Sequence, residues 1–149
     1  MNLKQKIHAH CRALIAAKLE SHQQALKELI DSAGSETKSS AGDKFETGRA
    51  MLHIEQDNIR KQQAEVLAQR AVLDTIDPDR QPERIGLGSL VKMAGGYYFL
   101  STALGKMTVD GQLVIALSVQ SPLGRMMMGL AVGDRVVMNG REMVVEELS

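Results

Sequence analysis

"DKFETGRAMLHIEQDNIRKQQAEVLAQRAVLDTI", residues 43–76, decides the fold, because its apolar residues keep one period from end to end. Phe45, Leu52, Ile59, Val66 and Leu73 recur every seven residues, with Gln56 and Gln63 between them. That spacing is a coiled-coil seam in which half of the positions are polar. A seam of this kind needs a partner helix, and the chain supplies one upstream. Residues 2 to about 33 contain no Gly or Pro, and Ile15, Leu19, His22, Leu26, Leu29 and Ala33 step by four and three alternately. Two helices of about 30 residues, each about 45 Å long at the helical rise, are expected on either side of "GSETKSSAG", residues 34–42. So short a link makes them an antiparallel hairpin.

Downstream the period changes. Pro78 and Pro82 stop the second helix and mark a linker. "GSLVKMAGGYYFLST", residues 88–102, predicts two strands around Gly95-Gly96. "VDGQLVIALSVQ", residues 109–120, predicts a turn at Asp110-Gly111 and then a strand with Leu113, Ile115, Leu117 and Val119 on one face. The chain closes with a hairpin about Asn139-Gly140, preceded by "SPLGRMMMGL", residues 121–130. In that stretch Ser121 is suited to an N-cap and Pro122 to the first helical position. The expected class is α+β: an antiparallel two-helix coiled-coil hairpin over 1–77, a linker over 78–84, and a small antiparallel sheet domain with one short helix over 85–149.

Charge and composition narrow the function. The chain has 149 residues, with 18 Lys plus Arg against 18 Asp plus Glu. A net charge of zero argues against bulk attraction to nucleic acid or an anionic membrane. Cys11 is the single cysteine, so no intramolecular disulfide and no cysteine-cluster zinc site can form. No apolar run approaches a membrane span, and the expected location is the cytoplasm.

With these elements placed, "SVQSPLGRMMMGLAVGDRVVM", residues 118–138, and the Gly42-Asp43-x-x-Glu46 motif where the hairpin turns make the chain similar to the Gre family of bacterial transcript-cleavage factors. The resemblance covers nearly the whole chain. It implies an FKBP-like C-terminal domain, RNA polymerase as the partner, a monomer, and a hairpin tip that enters the polymerase secondary channel near the 3′ end of the nascent RNA. Asp43 and Glu46 take the position of the family's tip acidic pair. The implied chemistry is polymerase-centred hydrolysis of backtracked RNA with Mg²⁺ shared in the complex, so the protein completes an active site in trans and is not itself an enzyme. Gln120, Ser121, Pro122 and Leu123 fall in the implied polymerase-binding segment.

Two departures keep an alternative open. The family commonly continues Asn-Ala-Glu-Tyr after the tip Glu, whereas here the run is Thr47-Gly48-Arg49-Ala50. Arg49 suits contact with a transcript phosphate, or marks a protein that occupies or competes for the channel without promoting hydrolysis. Gln120 stands where some members carry an acidic residue. Asp43 and Glu46 also have an ordinary role, since acidic side chains favour a helix start and Ser40-Ala41-Gly42-Asp43 fits a capping box.

Other candidates are assigned bland roles. His8, His10 and Cys11 offer too few ligands for a metal and are given a seam or solvent position. Among Met126, Met127 and Met128, core packing of the short helix is expected for at least one. A prolyl isomerase pocket is set aside because Phe45, Tyr97, Tyr98 and Phe99 are the only aromatics.

Overall fold

A computed structural model describes the backbone of residues 1–36 and 42–149, and the side chains of residues 1–32 and 48–149. Two long helices come first, α1 (Leu3–Glu36) and α2 (Gly42–Asp74). Asn2 and Gln5 start α1 with a reciprocal pair: the Gln5 N–H donates to Asn2 Oδ1, and the Asn2 N–H donates to Gln5 Oε1, both at 2.9 Å. This is a capping box, and it satisfies backbone donors that the helix itself cannot. Gly34 lies inside α1, so this helix runs past the expected stop near residue 33 and the link shortens to residues 37–41, which lie outside the described residues.

The chain divides into two compact units, residues 14–68 and residues 1–13 with 69–149. In the first, burial follows the expected seam. Ile15 and Val66 are buried, and Leu19, His22, Leu26, Leu29, Leu52, Gln56, Ile59 and Gln63 are half-buried, while most positions between them are exposed. Ala25, Leu29 and Ser32 face Glu55, Asn58 and Ile59 across one groove, as antiparallel helices require. Nδ1 of His22 is buried with no hydrogen-bond partner among the described residues. Ala33 and Phe45, the remaining seam positions, have side chains outside those described.

In the second unit a five-stranded sheet is built from β1 (Leu90–Met93), β2 (Gly96–Ser101), β3 (Gly105–Val109), β4 (Gln112–Ser118) and β7 (Glu147–Leu148) in the order β3-β4-β2-β1-β7. A short helix, α3 (Pro122–Met127), follows β4, and β5 (Arg135–Met138) and β6 (Arg141–Val144) form a separate hairpin. The expected all-antiparallel sheet is corrected here: β2 and β4 pair in parallel, with Phe99 opposite Ala116 and Leu100 opposite Leu117. The cause is a three-residue link, 102–104, that steps over one strand position to begin β3. Asp110 and Gly111, at φ of 52° and 73°, then fold β4 back into the gap. The first turn also shifts by one residue. Ala94 and Gly95 hold the positive φ angles, and Gly96 pairs with Met93 as the first residue of β2.

Both faces of this sheet are covered. On one, Val91, Met93, Leu100 and Leu117 pack with Ile85, Met127, Val136 and Val145. On the other lie Leu90, Phe99, Met107, Val114 and Ala116, all buried. Here the start of α1 arrives, with Cys11 Sγ 3.9 Å from Met107 Sδ, and the end of α2, whose Gln69 Nε2 donates to Ala103 O at 3.3 Å. Fully burying a side chain the size of Phe99 stabilises by about 1.5–3 kcal/mol, so each layer is a substantial share of a domain's net stability.

Candidate functional site

Two regions carry the candidate residues. The first is the turn between the long helices. Asp43 and Glu46 fall in the opening turns of α2 by its backbone bounds, but their side chains, and Ser40 of the expected capping box, lie outside the described residues. Arg49, one turn on, is exposed and has an interaction partner. Among the described residues, no group of three or more His, Cys, Asp or Glu could hold a metal ion.

The second region is the segment entering α3, and here the geometry is explicit. Ser121 is extended at φ −64° and ψ 157°, and its Oγ accepts from the Gly124 N–H at 3.0 Å while donating to Ser118 O at 2.6 Å. The hydroxyl therefore ties the end of β4 to the first turn of α3. Gly124 fits because a Cβ there would lie 2.1 Å from Ser118 O. Leu123 packs against the core that also holds Met127. Gln120 and Pro122 are the exposed members of the segment. Met126 and Met128 are exposed as well, at 44% and 41%, so of the three consecutive methionines Met127 fills the core. Thus Gln120, Pro122, Met126 and Met128 offer surface, whereas Ser121 and Leu123 hold its shape.

Sequence reasoning missed a set of contacts that join the two helices within this unit. His8 is buried, and its Nε2 donates to Leu73 O at 3.0 Å, satisfying a carbonyl in the last turn of α2. Arg12 Nη2 lies 2.6 Å from Asp74 Oδ1. Burial pushes the Cys11 thiol up to about 11, so it stays protonated at neutral pH. The eleven-residue step from Lys4 through Ile7 and Cys11 to Ile15 continues the seam spacing and was the available signal.

No helix among the described residues is long and apolar enough to cross a membrane. No family model and no curated protein matches the chain. Among solved structures, the GreA factor homolog 1 (Gfh1) protein of Thermus thermophilus is similar at 18% identity and a TM-score of 0.36, over 92% of this chain and 93% of that one. The expected stimulation of cleavage is corrected here: the similar protein is named as a homolog of the GreA factor, and the channel-occupying alternative is the reading carried forward.

Proposed function

We propose that this chain is a Gre-type regulator of RNA polymerase that occupies or competes for the secondary channel without stimulating cleavage. The observation that carries this reading is the pattern at the helical turn: Asp43 and Glu46 are followed by Arg49 where the resembled family has an acidic residue. A guanidinium one turn beyond the pair is suited to pair with a carboxylate or a phosphate. It lowers the net negative charge available to an added Mg²⁺, whose hard-oxygen coordination favours several carboxylate or water ligands. Asp43 and Glu46 would then approach the polymerase's Mg²⁺ as a mask, or repel an incoming nucleotide. In this reading the protein binds no metal alone and works as a cytoplasmic monomer.

The sheet domain, FKBP-like by the same resemblance, supplies the grip. Gln120 and Pro122, exposed beside the capped start of α3, are the proposed contacts, with Ser121 and Leu123 shaping the surface. Restoring the acidic residue of some family members by Gln120→Glu is expected to tighten binding. Unchanged affinity of that variant would remove Gln120 from the contact surface.

Backtracked elongation complexes with Mg²⁺ test the function directly. The purified chain should leave transcript length unchanged and should slow cleavage by an added cleavage factor as its concentration rises. Shortened transcripts produced by the chain alone, or cleavage by the added factor that no concentration of the chain slows, would each rule the reading out.

A further inference from the structure

Below the core of the second unit, the first turn of α1 and residues 75–89 enclose a cavity of about 350 Å³. Three cationic side chains, Lys4, Arg80 and Arg84, line it against one carboxylate, Asp77. Lys4 is 3% exposed. Among the described residues its ammonium makes one hydrogen bond, to Arg80 O at 2.8 Å, and two of its three donors have no hydrogen-bond partner there. The nearby carboxylates attract Lys4 without a hydrogen bond to its ammonium: Asp77 Oδ1 accepts from the Asp79 N–H at 2.9 Å, and Asp79 Oδ1 accepts from Gln5 Nε2. Burial pulls Lys4 below the ordinary lysine range, while Asp77 and Asp79 act the other way and Arg80 adds to the lowering. Burying a charge so sparsely hydrogen-bonded is unfavourable unless something meets it.

We infer that this cavity is a binding site for a small phosphate-bearing molecule. Lys4 would meet the anion from the floor, and Arg80 and Arg84 would meet it from the more exposed rim. Arg84 is already oriented by donation from Nη1 to Gly129 O at 3.1 Å, which leaves other guanidinium donors for a ligand. Ile76, Pro82 and Leu87 form the apolar part of the wall, where the uncharged portion of an organic phosphate would lie. The role Lys4 plays in joining α1 to the loop does not account for the two arginines, which add charge on the same cavity. This inference does not depend on polymerase binding.

The test is a titration of the ¹⁵N-labelled full chain at constant ionic strength with inorganic phosphate, adenosine monophosphate and adenosine. Saturable shifts of the Gly86, Gly88 and Ser89 amides are expected with both phosphates and not with adenosine, the monophosphate binding more tightly because it also covers the apolar wall. Arg80→Gln with Arg84→Gln, both at exposed positions, should weaken binding about tenfold or more while the melting curve stays close to that of the parent. Lys4→Met should abolish binding, and the double arginine variant keeps the test open if that substitution impairs folding. Amide shifts reproduced by chloride alone, or equal affinity in the double arginine variant, would overturn the site. Equal affinity for inorganic phosphate and the monophosphate would overturn the assignment of the apolar wall.

Discussion

Gly124 and Cys11 show how single side chains are constrained by neighbours far along the chain. A methyl group at 124 would sit 2.1 Å from a backbone oxygen and 3.0 Å from Val119 Cα, so β4 and α3 would have to separate. Gly124→Ala should therefore destabilise by about 1–3 kcal/mol or more in urea unfolding, whereas Gly129→Ala, with open space but a φ of 82°, should show only a strain penalty. Cys11 is buried against Met107 and its thiol is raised from 9.0 to about 11. The native state thus holds its proton more tightly than the unfolded chain does. The resulting stability is present below pH 9.0 and is lost as pH rises from there through about 11. Lys4 runs the opposite way, since its lowered native value makes stability rise as pH climbs toward 10.5. Cys11→Ala should remove the first effect and leave the second, so its stability should hold up better on the alkaline side once its lower baseline is subtracted. Parallel stability-versus-pH curves for parent and variant would refute this linkage. Iodoacetamide should label native Cys11 far more slowly than denatured Cys11.

The long helices carry a seam that is polar where ordinary coiled coils are apolar. Gln56 and Gln63 are half-buried at positions that would otherwise hold leucine, and His22 keeps a buried nitrogen with no partner among the described residues. An unsatisfied group of that kind costs about 1–3 kcal/mol. Residues 14–68 should therefore be the less stable unit. Gln63→Leu is expected to raise its stability by about 1 kcal/mol, read as slower amide exchange across Ile15–Leu29 and Leu52–Val66, with little change in the sheet. Equal exchange in variant and parent would mean that the polar seam costs nothing. The heptad spacing and the burial pattern agree closely here because a helix packed on one neighbour has only one face to bury, and its period is visible in the sequence.

The sheet unit draws on both ends of the helical region. The core around Val91, Leu100 and Met127 comes from residues 85–148, while on the other face, where Phe99 and Val114 are buried, Met107 meets Cys11 of α1, and Ala103 O beside β3 accepts from Gln69 of α2. We propose that a fragment starting at residue 85 keeps its sheet signal in circular dichroism but melts well below the full chain and binds a hydrophobic dye. A chain in which a short linker joins Ala13 to Gln69 should recover most of the loss. Coincident melting of the isolated fragment and the full chain would show that the helix ends contribute nothing to this unit.

Local pattern was enough for the two helices, the Asp110-Gly111 and Asn139-Gly140 turns and the cap at Ser121, because each depends on residues within about one turn or hairpin of one another. The resemblance carried by Asp43 and Glu46 rests on the sequence alone, since their side chains lie outside the described residues. The parallel pairing of β2 with β4 was not, since strand alternation looks the same whichever neighbour a strand takes. Nor was the burial of Lys4, His8 and Cys11, which read from the sequence as a mixed polar helix start. Lys4 became a candidate ligand only when residues more than 70 positions away in the chain closed over it. Such burial is decided by which surfaces meet in three dimensions: the spacing of Lys4, Ile7, Cys11 and Ile15 marks one helix face, but not what covers it.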